Sequence, residues 1–503
     1  MSSTPQATEL ATLAGRLATA SARLKTVRRI PLPSLRLTVS ERRVVLAVVD
    51  ALVLSFALLV ALALRYTGSL SWDLVAQQPR YYLLLIALWV VSALFFDCYD
   101  LARTADASQS AWAAGRAAFA TALGYLAIPY ITPDFPASRL SSLIFVGLVT
   151  ISVPIWRAVY AVVFTQPVFQ KRVLVVGAGQ SGRKIAGILS RTPKHGNPYA
   201  GSGFELVGFV DDNVEKVGTR IADVAVMGTR RDLVRLVQQY DVDMLVIAIR
   251  HAPQIESELF QALLNCRELG VDVELMTGLY ERLTGRVPVE HAGRDLDLIV
   301  PVPDSAIQHF FRAGKRLVDL VAGVGGLMLL AVMAPFIALA NAIWSPGPLF
   351  YRQLRVGKGG QPFYVYKLRS MIPAAEKDCG AVWSCENDNR ITPVGRLLRK
   401  TRLDEFPQFL NVLKGDMSLV GPRPERPEFV ASLVEQVPFY QARHAVRPGV
   451  TGWAQVRYSY GSSVQDALAK LEYDLYYIRH QGLYLELSVL VKTVAVMLGL
   501  KGR

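Results

Sequence analysis

The stretch LVDLVAGVGGLMLLAVMAPFIALANAIW, residues 317–344, is apolar and long enough to cross a bilayer, which takes about 20 helical residues. Basic residues flank it on both sides, at Lys315 and Arg352, whereas positive residues normally collect on one side of a spanning helix. Pro335 lies near its middle, and proline removes a backbone hydrogen bond and bends a helix. We therefore predict a re-entrant membrane helix at about 315–345 that bends at Pro335 and returns, with a kinked spanning helix as the alternative.

The composition also indicates a membrane protein. Of the 503 residues, 52% are hydrophobic and 19% are charged, and the mean hydropathy is +0.29, which is high for a soluble protein of this length. Four upstream stretches can each cross a bilayer, at 44–64, 81–96, 111–131 and 143–164. Arg43 precedes the first stretch and Lys171 follows the fourth, so both ends of a four-helix transmembrane bundle at 41–168 are expected in the cytosol.

The net charge of +14 narrows the class of partner. Beside membrane segments, a basic balance favours membrane lipid and phosphate-bearing substrates, and we expect no nucleic-acid partner. The four cysteines lack Cys-x-x-Cys spacing, which predicts reduced thiols and neither zinc nor a disulfide framework. Residues 1–40 are rich in Ala, Ser, Thr and Arg and predict a cytoplasmic tail.

Strand and helix patterns alternate in the middle of the chain. Strands are predicted at 172–176, 205–210, 244–249 and 271–276, and helices near 180–189, 230–239 and 256–269. This alternation predicts a doubly wound parallel sheet, and hence a Rossmann-like α/β domain at 169–281. The polar, proline-containing segment 282–305 predicts a linker into a last domain at 306–503.

A glycine-rich turn follows the first of these strands. Gly177, Gly179 and Gly182 match the pattern G-x-G-x-x-G of dinucleotide-binding domains. Asp211 lies at the end of the second strand, where a ribose-binding acid is expected, although later than the usual spacing. These four residues are a candidate nucleotide site, but the same glycines serve tight packing of a strand against a helix, so a scaffold or regulatory role is favoured.

The densest pattern of charge lies in GRLLRKTRLDEFPQ, residues 395–408, where basic residues surround the adjacent carboxylates Asp404 and Glu405. If these carboxylates act on a diphosphate, as the family resemblance described below implies, they need cations to offset repulsion and to stabilise the leaving group. The candidate phosphate-binding residues are Lys367, Arg369, Arg399, Arg402, Arg423 and Arg426. Because proline is tolerated in a first helical turn, Pro407 predicts a helix capped by Asp404, with both carboxylates near the positive end of its dipole.

Four motifs occur in one order in the last domain: K-x-R-S-M, L-D-E-x-P-Q, S-L-V-G-P-R-P and P-G-x-T-G-W-A-Q. Over about 310–503 this pattern resembles the polyprenyl-phosphate sugar-phosphate transferases, also called bacterial sugar transferases or phosphoglycosyl transferases. The upstream spans and Rossmann-like domain resemble the large form of that family. The pattern at 458–479 resembles members associated with exosortase and other exopolysaccharide loci.

The resemblance implies a reaction. A hexose 1-phosphate passes from a UDP-sugar to undecaprenyl phosphate with release of UMP, as the initiating step of exopolysaccharide or O-antigen synthesis. It implies that Asp404 is the nucleophile that forms a phosphosugar-enzyme intermediate and that Glu405 helps to hold Mg²⁺. By its place in the motif, Arg399 is expected at the polyprenyl phosphate. Glucose and galactose are the favoured sugars.

The sequence therefore predicts a membrane protein of mixed fold, with a four-helix transmembrane bundle, a Rossmann-like α/β domain and a C-terminal α/β catalytic domain with a re-entrant membrane helix. The expected location is the bacterial inner membrane, multi-pass, with the catalytic domain on the cytosolic face. The middle domain offers a dimer contact, so a homodimer is a candidate. Two alternatives stay open: a membrane-anchored NAD-dependent enzyme that modifies nucleotide sugars, for which no catalytic Tyr-x-x-x-Lys is found, and a non-catalytic scaffold for polysaccharide assembly.

Overall fold

The computed structural model describes residues 39–64, 78–128, 132, 139–164, 170–189, 203–249, 256–291, 306–373, 388–458, 461 and 463–499. Within these residues, three helices are long and apolar enough to cross a membrane: Glu41–Leu62, Leu140–Phe164 and Gln308–Trp344. The chain is thus a membrane protein that combines helices and sheets. Nearly all of the predicted tail at 1–40 and most of the predicted linker at 282–305 lie outside the described residues.

The N-terminal part is helical. Its helices are α1 (Val39–Leu62), α2 (Pro79–Phe95), α3 (Leu101–Thr104), α4 (Ala107–Leu126) and α5 (Arg139–Phe164). The four longer helices share one apolar core, which includes Leu54, Trp89, Ala117 and Phe145. They coincide with the four predicted stretches, but α2 is shorter than the three membrane-length helices and α4 is not among them.

The middle part is a six-stranded sheet with helices on both faces. Its elements are β1 (Lys171–Val176), α6 (Gln180–Leu189), β2 (Phe204–Val210), β3 (Arg220–Ile221), β4 (Val224–Gly228), α7 (Leu233–Gln239), β5 (Met244–Ile247), α8 (Ser257–Glu268), β6 (Asp272–Leu275) and α9 (Met276–Thr284). The strand order is β3-β4-β2-β1-β5-β6, and only the β3–β4 pair is antiparallel among the described strands.

Alternate residues of β1 enter two different cores, because successive side chains of a strand point to opposite faces. Val173 and Val175 pack with α6, α9 and the helical part, whereas Leu174 and Val176 pack with α7 and α8. The predicted strands are all present, but β3 and β4 were not predicted. The linker was predicted to begin at 282, whereas α9 continues to Thr284.

The C-terminal part contains α10 (Ala306–Trp344), β7 (Phe350–Val356), β8 (Pro362–Leu368), α11 (Pro393–Lys400), α12 (Phe409–Lys414), β9 (Ser418–Val420), α13 (Pro427–Gln436), β10 (Gly449–Thr451), α14 (Trp453–Arg457), α15 (Val464–Arg479) and α16 (Leu483–Leu498). Strands β7 and β8 form an antiparallel hairpin, and β9 and β10 form a short parallel pair.

Helix α10 continues through Pro335 as one element of 39 residues, about 58 Å at 1.5 Å per residue. The rest of the C-terminal part contacts it over much of its length. Near its start, Asp319 accepts hydrogen bonds from the Leu419 N–H at 2.9 Å and the Ser418 hydroxyl at 3.1 Å. Farther along, Gly326 allows close approach, since a Cβ there would lie 2.3 Å from the Phe409 ring. Near its end, Asn341 accepts from Arg369 at 2.9 Å.

The opposite face of α10 is apolar and exposed. Val321, Met328, Val332, Phe336 and Leu339 are each between 63% and 73% exposed, at the three- and four-residue spacing of one helix face. The helix is therefore packed against protein on one side and presents a hydrophobic stripe on the other. An apolar surface of this extent marks a membrane or partner contact.

Candidate active site

The carboxylate pair lies in a 3₁₀ turn, Leu403–Gln408, that leads directly into α12. The residue before the turn is Arg402, whose φ of 61° places it in the left-handed region. The prediction that Asp404 caps the helix was wrong, because the chain enters the turn at Arg402 and both acids occupy its first turn. They still lie near the unpaired N–H groups of a helix start.

Glu405 is held by two cations from different elements. The Arg423 guanidinium, in the loop after β9, donates to the two Glu405 oxygens at 2.7 Å and 3.4 Å. The Lys367 ammonium, on β8, lies 3.9 Å from the Glu405 carboxylate. Glu405 is 7% exposed and Asp404 is 9% exposed, so the pair is removed from water in a cationic surrounding.

The two carboxyl groups have different pKa values. Burial, followed by the charge of Glu405, raises the pKa of Asp404 to about 6. Burial also opposes ionisation of Glu405, but the charges of Arg423 and Lys367 outweigh it and lower the pKa of Glu405 to about 2. Two neighbouring carboxylates with different environments commonly divide two chemical roles between them.

The remaining cations differ in what they contact. Burial lowers the pKa of Lys367 to about 8, against the opposing charge of Glu405. Arg399, on α11, donates from Nε to the Ser370 hydroxyl at 2.9 Å, and its charge acts to lower the pKa of Asp404. The charge of Arg402 acts in the same direction on the pKa of Glu405. These residues surround the pair.

Two predicted phosphate-binding residues have other partners. The Arg369 guanidinium is buried and donates to the backbone oxygens of Pro348, at 2.6 Å, and Ser345, and to Asn341. It thus fastens the end of α10 to the strand hairpin, which argues against the predicted role in phosphate binding. Arg426 pairs with the exposed Glu428 at 3.4 Å, outside the contacts of the carboxylate pair.

Sequence reasoning missed a buried support beneath Arg423. Arg443 donates to the carboxylate of Asp474 at 2.8 Å, to the Tyr440 hydroxyl at 2.6 Å and to the backbone oxygen of Arg423 at 2.9 Å. Arg443 joins elements that are far apart in the sequence, so no local sequence pattern predicts these contacts. Arg355 was also missed; it donates to the Pro424 backbone oxygen at 3.1 Å.

The donor set fits a magnesium ion that is shared with a phosphate ligand. Among the described residues there is no group of three or more His, Cys, Asp or Glu that would enclose a metal. Mg²⁺ is usually bound through one or two carboxylates and the oxygens of substrate phosphates, and Glu405 is the carboxylate predicted to hold it. In the same turn, Gln408 is buried and its side-chain N–H₂ has no partner within the described part of the chain, so a donor is available there.

The glycine-rich turn is arranged differently. Gly182 packs against Gly177, since a Cβ at Gly182 would lie 2.0 Å from the Gly177 oxygen. Asp211 accepts from the Ala178 N–H at 2.7 Å and pairs with Lys216 at 3.0 Å, so its carboxylate is engaged within the domain. Gly179 has open space around it. The structure therefore brings the three glycines and Asp211 together at one turn. There the Asp211 carboxylate is already hydrogen-bonded and ion-paired within the domain.

Comparison with known families divides the chain into two matched regions. Residues 310–500 match the model of the bacterial sugar transferases, and residues 94–277 match a CoA-binding domain. The first match contains the carboxylate pair and all the cations around it. The second contains the glycine-rich turn.

Three curated proteins illustrate the likeness. A UDP-N-acetylgalactosamine-undecaprenyl-phosphate N-acetylgalactosaminephosphotransferase of Aeromonas hydrophila is 39% identical over 50% of this chain and 58% of its own length. A UDP-glucose:undecaprenyl-phosphate glucose-1-phosphate transferase of Xanthomonas campestris pv. campestris is 32% identical over 67% of this chain and 68% of its own. The exopolysaccharide production protein PSS of Rhizobium leguminosarum bv. phaseoli is 40% identical over 36% of this chain and 92% of its own.

The alignments do not cover these relatives evenly, and the chain spans about 58% of the length of the Aeromonas protein. The Xanthomonas alignment covers more than two thirds of that relative at 32% identity. Together with the match of residues 310–500, it assigns the chain to a family. The chain belongs to the bacterial sugar transferases.

Proposed function

We propose that this protein transfers a hexose 1-phosphate from a UDP-sugar to undecaprenyl phosphate and releases UMP, as the first membrane step of exopolysaccharide or O-antigen synthesis. The observation that carries the proposal is the buried carboxylate pair with divided acidity. The pKa of Asp404 is about 6, so this carboxylate is largely ionised at neutral pH, as a nucleophile requires. Glu405 is fixed by Arg423 and Lys367.

The reaction proceeds in two displacements. In the first, an Asp404 oxygen attacks the phosphorus that carries the sugar, the bond from that phosphorus to the bridging oxygen breaks, and the bridging oxygen leaves with UMP. In the second, a phosphate oxygen of undecaprenyl phosphate attacks the phosphorus of the Asp404 adduct, which forms the lipid diphosphate sugar and returns the carboxylate. Electrostatic stabilisation of the phosphate charge is the main demand on the protein.

The chain's own residues meet that demand. Lys367 and Arg423 face the pair and offset the charge of an incoming diphosphate. Arg399 would orient the acceptor phosphate beside Asp404. Glu405, with the substrate phosphates, would hold Mg²⁺, which supplies charge neutralisation to the diphosphate when bound.

We also propose that α10 enters one leaflet of the bacterial inner membrane and that the catalytic part stays on the cytosolic face. Contacts with the catalytic part at Asp319, Gly326 and Asn341 hold one face of α10 against protein, so lipid would surround only the opposite, exposed face. Its exposed stripe supplies a surface for partial immersion. Cysteines introduced at His309 and Arg352 should react with an impermeant maleimide from the same side of sealed vesicles; labelling from opposite sides would restore a spanning helix.

A transfer assay tests the function. The full chain in lipid nanodiscs would receive undecaprenyl phosphate, Mg²⁺ and, separately, UDP-glucose, UDP-galactose and UDP-N-acetylgalactosamine. We expect a sugar-labelled lipid with one of them and release of an equal amount of UMP. Release of UDP in that amount would mean transfer of the sugar without its phosphate and would overturn the proposal. Absence of product with every UDP-sugar, from protein that is folded and inserted, would also overturn it.

A further inference from the structure

A cavity lies outside the candidate active site. It has a volume of about 230 Å³ and is enclosed by the end of α2, the segment Asp97–Asp100, the end of α9, and α14, α15 and α16. It thus lies where the N-terminal helices, the sheet domain and the catalytic part meet. None of the residues around Asp404 lines it.

The cavity carries an excess of positive charge. Two of its cations are neutralised by acids in the wall, since Lys492 pairs with Asp97 and Arg457 pairs with Asp100 at 3.3 Å. Arg43, at the start of α1, also lines the cavity, and within the described residues it has neither an ion pair nor a hydrogen bond. One exposed guanidinium is therefore available to an anion.

One wall of the cavity is aromatic. Trp453 stacks on Tyr476 with ring centroids 6.2 Å apart, and Tyr476 stacks on His480 at 4.3 Å. The Arg457 guanidinium lies 5.1 Å from the centre of the Trp453 ring. Aromatic rings beside basic side chains are typical of the boundary between water and lipid headgroups.

The cavity adjoins exposed apolar surfaces. Arg43 is followed on α1 by an exposed stripe of Val44, Val48, Leu52 and Phe56, each between 52% and 63% exposed. On the other side, Leu483 at the start of α16 is 78% exposed. An anionic headgroup in the cavity would have apolar surface beside it for its acyl chains.

We propose that this cavity binds the phosphate of one anionic phospholipid, with Arg43 as its ion-pairing residue and the acyl chains along the exposed stripe of α1. The combination of an available guanidinium, an aromatic wall and an adjoining hydrophobic stripe matches an amphiphile with a negative headgroup. A free phosphate ion would use only the first of these features. The lipid would join the N-terminal helices to the catalytic part at a point remote from the carboxylate pair.

Native mass spectrometry of the full chain in a nonionic detergent tests the proposal. Phosphatidylglycerol is the probe, and phosphatidylcholine is the neutral comparison. We expect one tightly retained phosphatidylglycerol, at least fivefold weaker retention in Arg43→Gln, and retention close to wild type in Arg43→Lys. Arg267→Gln, which changes an exposed arginine on α8, is the matched control and should retain the lipid fully.

The outcomes distinguish a phospholipid headgroup from a free phosphate ion. Displacement of the lipid by millimolar inorganic phosphate would indicate a free-anion site and overturn the lipid assignment. Equal retention of phosphatidylcholine, or full retention by Arg43→Gln, would also overturn it. Gel filtration and the transfer rate of Arg43→Gln establish that the variant is folded, because Arg43 lies outside the catalytic residues.

Discussion

The carboxylate pair and the glycine-rich turn are both short sequence motifs that predict a phosphate ligand, yet the protein treats their polar groups differently. Around Asp404 and Glu405, cations converge on buried acids, and the amide of Gln408 has no partner among the described residues. At the turn, the Asp211 carboxylate accepts a hydrogen bond from the Ala178 N–H and pairs with Lys216. The difference is that the carboxylate pair lies beside a buried donor, the Gln408 side-chain N–H₂, that the described part of the chain does not satisfy.

Asp404→Asn should have the largest effect on transfer and tests the role of the carboxylate pair most directly. The amide keeps the size of the side chain but removes the nucleophilic charge, so transfer should fall by at least about 10³-fold. A labelled sugar-phosphate adduct should be trapped on the wild-type chain and not on the variant. Asp416→Asn, a change of an exposed carboxylate twelve residues later in the sequence, should leave transfer unchanged. An adduct that maps to another residue would contradict the mechanism.

Arg423→Ala should have the next largest effect. It removes the bidentate partner of Glu405 and one of the cations that face the diphosphate, so we expect kcat/KM to fall by about 10²-fold. Arg423→Lys should recover part of the loss. Arg426→Ala is the control in the same loop, because Arg426 pairs with exposed Glu428, and its rate should change by less than about threefold. Equal losses in both alanine variants would show that the loop acts as a whole.

The pH dependence of kcat/KM gives a smaller and graded effect. When Mg²⁺ is limiting, activity should rise as Asp404 loses its proton near pH 6 and fall as Lys367 loses its proton near pH 8. Added Mg²⁺ should move the acid limb to lower pH, since a nearby cation favours the carboxylate. Lys367→Arg should remove the alkaline limb, because arginine stays charged. If added Mg²⁺ does not shift the acid limb, the metal does not bind near Asp404.

Sequence reasoning reached the carboxylate pair because both acids and several of their cations stand in contiguous motifs. It assigned Arg369 by charge alone, and charge does not reveal that a guanidinium is engaged by backbone oxygens at the end of a helix. It missed Arg443 and Asp474, whose contact joins a 3₁₀ segment to a helix 31 residues later. Contacts of that kind depend on tertiary packing, which local patterns do not encode.

The fold was predictable to a similar degree. The strands and helices of the sheet domain follow from alternating apolar patterns, whereas β3 and β4 are a short antiparallel addition without such a pattern. Hydropathy identified α10 as a membrane-length segment. It did not reveal that Gly323 and Gly326 face α12, where a Cβ would approach Leu413 and Phe409 to 2.7 Å and 2.3 Å.

The smallest expected effect belongs to Asp211→Asn and tests the other half of the comparison. If the glycine-rich turn serves packing, loss of this acid removes an ion pair with partly exposed Lys216 and should change transfer by less than about twofold. Gly182→Ala is the structural counterpart: its Cβ would meet the Gly177 oxygen at 2.0 Å, so the sheet domain should become more sensitive to proteolysis. A tenfold loss of transfer in Asp211→Asn, with the protease pattern of wild type, would instead indicate a working nucleotide site.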